Sequence, residues 1–281
     1  MEKRRMCPNC RAFITTSDRV CPYCGIQLGP RAIDLRASQF AASLVPRGNV
    51  TAIVFLIINA ALYLIELILS YKIFSASPGT LDPRVAALMG DKNPYFIFVL
   101  HQWWRLITAG FLHGGFVHIA MNAWTLLILV TEAEQFYGTS RVVFTYIFST
   151  FTGFWLSTLW SPHSSSLGAS AACFGYFGLM LAMAVRRRTD PLAQAVRAHY
   201  GQWLLFGLLL SILPGVDMAA HVGGFAGGFL IGVVAGLPGL PNTPRESLWK
   251  ILAAVAVAIT LYAFWQDFLS YHALIRQLNS T

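Results

Sequence analysis

Charge is scarce in this sequence. Only 11% of its 281 residues are Asp, Glu, Lys or Arg, against about 25% in an ordinary soluble domain, which excludes a water-soluble fold for most of the chain. Acidic residues are scarcer still, 12 against 20 basic ones. No series of carboxylates crosses the apolar stretches, and Glu66 alone does not make an ion path, which argues against a transporter. Cysteine is almost confined to the first 24 residues, which hold four of the five. A short leading apolar segment is also missing. The first apolar run begins about 50 residues in and is long, so it reads as a span and not as a cleaved signal peptide.

Apolar residues make up 56% of the chain, and the mean hydropathy is +0.58. Near-continuous apolar stretches run about 50–74, 116–135, 141–160, 168–185, 200–213, 217–236 and 248–270. Most approach the roughly 20 residues needed to cross a bilayer core; the fifth, "YGQWLLFGLLLSIL", is the shortest. An all-α polytopic membrane protein with seven spans is expected. The net charge of +8 matters less than its distribution. Fifteen of the 20 Lys/Arg lie in the tail before residue 50 and in the loops after the second, fourth and sixth spans, Arg186, Arg187, Arg188 and Arg197 among them. Positive charge marks the cytoplasmic side, so the N-terminus is expected in the cytoplasm and the C-terminus outside. No nucleic-acid partner is expected.

The first 28 residues belong to another class. Cys7 and Cys10 ("CPNC") and Cys21 and Cys24 ("CPYCG") form C-x2-C-x10-C-x2-C. Each turn aims two thiolates at one centre, and two such turns complete a tetrahedral zinc site. The competing reading is a pair of dithiols that form disulfides or do redox chemistry, and a cytoplasmic tail argues against disulfides. With all four positions filled by protein, the one zinc ion would be structural. Residues 29–49, including "LVPRGN", read as a linker, and residues 271–281 as a C-terminal tail.

Three spans carry polar residues where such residues are costly. The second opens "FVHIAMNAW", the fourth "GASAACF" and the sixth "DMAAHVGGF". In the expected topology all three run from outside to inside. His118, Ser170 and His221 then lie about one turn below the outer surface, with Asn122 one turn below His118 on the same face. Taken singly, Ser170 reads equally well as a helix-starting serine, His118 as an interfacial histidine and Asn122 as an interhelical hydrogen-bonding residue. Together they converge. Gly224, Gly228, Gly232 and Gly236 form a small-residue face on the sixth span that suits Gly175, Gly178 and Ala182 on the fourth, and such faces let backbones approach closely. That approach brings His221 towards Ser170, and a serine within reach of a histidine is a nucleophile with its general base.

The ordered set resembles the rhomboid intramembrane serine proteases over about residues 50–270. "WWRLITAGFLHGGFVHIAMN" is similar to the family's W-R motif (Trp104, Arg105) followed by H-x-x-x-N (His118, Asn122). "TEAEQFYGTSRVVFTYIFS" resembles its acidic-then-Gly junction, and "AHVGGFAGG" its A-H-x-x-G. The resemblance implies a bundle of six core transmembrane helices plus a seventh at the C-terminus, preceded here by the small zinc ribbon. It implies a Ser170–His221 dyad without a carboxylate, and an oxyanion hole from His118, Asn122 and the Ser170 backbone N–H. Phe174 would pack on the base, with Gly168 and Gly224 in support. Transmembrane proteins would be the substrates, reached through the lipid bilayer past the fifth span, and catalysis would need no cofactor. An integral protein of the plasma (inner) membrane is expected, with the ribbon available to a cytoplasmic partner. Asp217 reads as a helix-start carboxylate, and His101, His113, His163, His199 and His272 as loop or interfacial residues. In one position the chain departs from the family pattern G-x-S-G: it writes Gly168-Ala169-Ser170-Ala171. The methyl of Ala171 is expected to crowd substrate or the sixth span without abolishing activity. The rival readings are a rhomboid-like protein that binds membrane clients without cleaving them, and a zinc-ribbon tether anchored by the membrane part.

Overall fold

The long apolar runs become helices, and aspartate side chains cap those that open at Pro191 and Met218. The computed structural model describes residues 4–7, 9–15, 18–28, 50–186, 190–239 and 243–279. The expected linker 29–49, Arg187, Arg188, residues 280–281 and the side chain of His272 lie outside what is described. The chain divides into two units, Met1–Val50 and Thr51–Thr281.

In the first unit, strands β1 (Arg4–Met6) and β2 (Phe13–Thr15) pair antiparallel, with Met6 opposite Phe13. Cys7, Ile14 and Cys21 form its small core with Leu28 packed against them. So few apolar groups supply little stability by themselves, and a domain below about 40 residues needs a metal or a cross-link.

The second unit is helical: α1 (Val50–Phe74), α2 (Pro83–Leu88), α3 (Pro94–Phe98), α4 (Arg105–Thr108) running into a 3-10 turn (Ala109–Phe111), α5 (Phe116–Tyr137), α6 (Thr139–Trp160), α7 (Ser170–Arg186), α8 (Pro191–Leu210), α9 (Met218–Ala235) and α10 (Pro244–Asn279). Five of these, α1, α5, α6, α9 and Pro244–Tyr271 of α10, are long and apolar enough to cross a membrane, and Ser170–Val185 of α7 is apolar but shorter. The protein is an all-α polytopic membrane protein.

Where seven spans were expected, the helix at the fifth, α8, is not among those five and differs from its expected bounds. It begins at Pro191 and ends at Leu210, so Arg197 and His199 lie within it. Asp190 accepts the Leu192 N–H and proline occupies the first helical position, a start signal that acts upstream of the apolar run. The segment "ILPGV" is then excluded from the helix, with Gly215 at φ +83°. The seventh helix likewise starts earlier than expected and continues through Asn279.

Helix α7 is the axis of the bundle, and small residues let its neighbours close on it. A Cβ on Gly224 would meet the Ala171 backbone, one on Gly228 the Gly175 backbone, and one on Gly232 would come within 2.6 Å of Ala182 Cβ. From the α7 side, a Cβ on Gly178 would lie 2.6 Å from the Phe229 nitrogen. Three of the four predicted glycines on α9 thus make the close approach. Gly236 instead ends the helix at φ +57°. On the other flank Tyr176 donates to Val142 O of α6 and Tyr137 of α5 donates to Leu179 O, both at 2.9 Å. Buried hydroxyls of this kind fix helix register, because each would be costly unpaired.

Candidate functional site

The nucleophile candidate is placed by the turn before α7. Gly168 has φ +130°, a conformation that favours glycine, and its N–H donates to Ala109 O at 2.9 Å. Ser170 is then the first residue of α7, where backbone N–H groups have no intrahelical acceptor. His221 comes from the first turn of α9, which Asp217 caps by accepting the Ala220 N–H at 3.0 Å. The helix-start reading of Asp217 holds. The same carboxylate also accepts from Ser157 and Ser166 and lies 4.0 Å from Lys92 Nζ.

Ser170 Oγ and His221 Nε2 are 2.8 Å apart. The Phe174 ring lies parallel to the imidazole, with centroids 4.1 Å apart and an interplanar angle of 10°. Gly207 of α8 makes room for that ring, since a Cβ there would stand 2.9 Å from Phe174 Cζ. The other imidazole nitrogen is engaged too: His221 Nδ1 is 2.5 Å from Ser211 Oγ at the end of α8. Sequence reading missed Ser211, which looks like an ordinary polar helix terminus.

His118 and Asn122 face the same turn from α5. A Cβ on Gly168 would lie 2.6 Å from His118 Nε2 and 3.5 Å from Asn122 Nδ2, so glycine is required there for space as well as for φ. His118 Nδ1 accepts the Gly114 N–H at 3.4 Å. A neutral imidazole that accepts at Nδ1 carries its proton on Nε2, so His118 presents a donor on the Gly168 side. Asn122 Nδ2 is buried without a hydrogen-bond partner. The site therefore holds two donors beside a serine–histidine pair.

His113 departs from its expected role as a loop or interfacial residue. It is 1% exposed, its ring meets the His118 ring edge-on with centroids 5.3 Å apart, and its backbone N–H donates to Glu66 Oε2 at 3.1 Å. Glu66, from α1, is itself buried. A buried carboxylate thus anchors the turn that orients His118.

Arg105 holds the loop before α5, while Trp104 packs against the main core. Arg105 donates to Asp91 Oδ1 and Asp91 O at 3.1 Å, to Ala87 O at 2.8 Å and to Gln102 Oε1 at 2.6 Å. Burial pushes the Asp91 carboxyl above its ordinary value and the Lys92 amine below its own, each partly offset by the opposite charges beside it.

A cavity of about 1520 Å³ opens over Ser170, His221, His118 and Asn122. Its far walls come from α5 (Met121, Trp124) and α8 (Trp203, Phe206). Ala171, the residue expected to crowd substrate or the sixth span, does not line it and packs instead with Ala220 of α9. Ala171 is fully buried, and its methyl would lie 2.8 Å from a Cβ on Gly153 of α6. The extra carbon is taken up by the missing one.

In the first unit the four thiols of Cys7, Cys10, Cys21 and Cys24 lie within 4.8 Å of one another. Cys7 Sγ–Cys24 Sγ and Cys10 Sγ–Cys21 Sγ are each 3.7 Å, against roughly 3.8 Å for sulfurs at tetrahedral corners around an ion with 2.3 Å bonds. Backbone N–H groups favour two of the thiolates, the Ile26 N–H drawing Cys24 down to about 6 and the Cys10 N–H lowering Cys7, while desolvation and the neighbouring thiols push Cys10 up to about 12. The set could hold a divalent metal.

A family model described as the Rhomboid domain matches residues 100–237. RHOMBOID-like protein 7 of Arabidopsis thaliana is 31% identical over 212 residues, 69% of this chain and 67% of that protein. RHOMBOID-like protein 4 of the same plant is 41% identical over 134 residues, 47% of this chain and 34% of that one. Rhomboid protease GluP of Bacillus subtilis (strain 168) is 29% identical over 214 residues, 75% of this chain and 42% of that one. The chain thus spans between a third and two thirds of these relatives' lengths. With its helices, its ordered motifs and these relatives in agreement, the chain belongs to the rhomboid family.

Proposed function

We propose that this protein is an intramembrane serine endopeptidase that cleaves transmembrane substrates near the outer membrane face. The observation that carries this reading is the 2.8 Å approach of Ser170 Oγ to His221 Nε2 at the base of the cavity. Ser170 Oγ attacks the scissile carbonyl carbon while His221 Nε2 takes its proton. The imidazolium then protonates the leaving amine, and water, deprotonated by the same nitrogen, releases the acyl group. The Ser170 N–H, His118 Nε2–H and Asn122 Nδ2–H receive the oxyanion. Each such donor contributes on the order of 10²–10³ in rate. The dyad calls on no cofactor.

Access for the substrate is lateral, through the bilayer between α5 and α8, whose cavity-facing side chains Met121, Trp124, Trp203 and Phe206 suit an apolar segment. The bias of Lys/Arg among the loops supports a cytoplasmic N-terminus and an outside C-terminus in the plasma (inner) membrane. In this reading residues 1–28 are a zinc ribbon holding one structural zinc on Cys7, Cys10, Cys21 and Cys24, 29–49 a linker, 50–270 the protease and 271–281 a tail. The exposed cross-strand pair Met6 and Phe13 suits the ribbon to a cytoplasmic partner.

A fluorophosphonate probe tests the nucleophile directly. Peptide mapping of the full chain in detergent is expected to place the adduct on Ser170, with labelling lost in His221→Ala. An adduct on another serine, or unchanged labelling without His221, would contradict the reading.

A further inference from the structure

A dyad leaves the second nitrogen of its histidine without an assigned partner, and that nitrogen decides whether the first is a base. A neutral imidazole has one N–H. If the proton sits on Nε2, the ring donates towards Ser170 and cannot deprotonate it. If it sits on Nδ1, the Nε2 lone pair faces the serine hydroxyl. Whatever contacts Nδ1 therefore sets the competence of the pair.

That contact is Ser211 Oγ, 2.5 Å from His221 Nδ1. A hydroxyl has one proton, and the direction of its donation is settled by a third group. Ser211 Oγ lies 2.7 Å from Gly207 O, the carbonyl one turn back on α8. A carbonyl oxygen only accepts, so the Ser211 proton goes to Gly207 O. The Ser211 oxygen is then left to accept from Nδ1–H. Ser211 is 3% exposed and His221 6% exposed, so bulk water competes little for either atom. The segment of α8 that supplies Ser211 also admits Phe174, through Gly207, to stack on the same ring.

We propose that Ser211 is the positioning residue of the base: it holds the His221 ring in the Nδ1–H tautomer and aims Nε2 at Ser170. It does the orienting work that a carboxylate does in a serine–histidine–aspartate triad, with a neutral acceptor suited to a buried site. No residue of this kind was visible in sequence, because Ser211 and His221 lie on different helices across the "ILPGV" turn. The inference rests on the serine-protease reading.

The test compares Ser211→Thr with Ser211→Val in full-length protein, reconstituted with a single-span substrate in proteoliposomes. The two side chains have nearly the same volume and differ in the hydroxyl. Ser211→Thr is expected to keep most of kcat. Ser211→Val is expected to lose about tenfold in kcat with KM unchanged, the scale of one lost neutral hydrogen bond. The rate of Ser170 labelling by a fluorophosphonate should fall in parallel, which removes substrate binding from the comparison. Equal rates in Thr and Val, whether both high or both low, would overturn the inference, because packing alone treats them alike. If Val does not fold, Ser211→Ala takes its place with the same expected loss. Ser170→Ala is run beside them. Cleavage surviving in that variant sinks the protease reading itself, whereas cleavage lost there but equal in Thr and Val sinks only the role of Ser211.

Discussion

The Cβ of Ala171 lies 2.8 Å from the point where a Cβ on Gly153 would stand. Residue 171 follows the candidate nucleophile directly, yet its side chain points away from the cavity and into the α6–α7 seam. A family-pattern glycine and this alanine are thus interchangeable for chemistry, provided that α6 leaves room. Ala171→Gly is expected to cost about 1 kcal/mol of stability through helix propensity and to leave kcat unaltered. Gly153→Ala is expected to destabilise by roughly 1–3 kcal/mol through overpacking, since its new methyl also meets Ala220 O. Thermal unfolding in detergent micelles checks both. The double variant should recover part of the Gly153→Ala loss.

Glu66 reaches the site through one backbone bond. Its carboxylate accepts the His113 N–H, and the next residue, Gly114, donates to His118. Glu66→Leu is expected to lower kcat about tenfold, less than the loss of a whole oxyanion donor, with KM intact. In a His118→Ala background the same change should cost nothing further, because coupled residues do not add. Steady-state kinetics on the four proteins of the cycle decide it.

Away from the cavity, Arg141 makes a two-pronged pair with Glu246, both bonds 2.7 Å, and only 2% of the arginine side chain is exposed. This pair joins the start of α6 to the start of α10. Glu246→Ala strands a buried cation and is expected to cost about 3 kcal/mol, read as a lowered unfolding midpoint. Arg141→Ala/Glu246→Ala should lose less than the sum of the two single changes.

Metal content separates the two units. Elemental analysis of the purified chain is expected to give one zinc per molecule, abolished by Cys7→Ser/Cys24→Ser, with protease digestion then entering the first 28 residues. Cleavage of a membrane substrate by the second unit should continue without the metal. A chain that carries no zinc but full-length, protease-resistant residues 4–28 would contradict the tetrahedral reading of the four thiols.

Much of the arrangement was legible because membranes impose coarse rules. Long apolar runs can be little else than helices in lipid, and the Gly224–Gly228–Gly232 face announced the close contact that delivers His221 to Ser170. What escaped were features set by tertiary placement. Ser211 ends an apolar run and looks like a terminus; only the fold of the "ILPGV" turn brings it onto His221. His113 sits among loop-like glycines and looks exposed, yet α1 buries it with Glu66. The early start of α8 escaped because hydropathy registers the apolar run from Tyr200 to Leu213 but not a cap, and the Asp190–Pro191 signal lies among polar residues.

The protease reading stands on hydrolysis of a peptide bond within the membrane by Ser170 and His221. It is tested most directly by cleavage of a single-span substrate in proteoliposomes, comparing wild type with Ser170→Ala and His221→Ala. Product is expected from wild type alone. Equal product from all three proteins, or none from a folded wild type across several substrates, would contradict it.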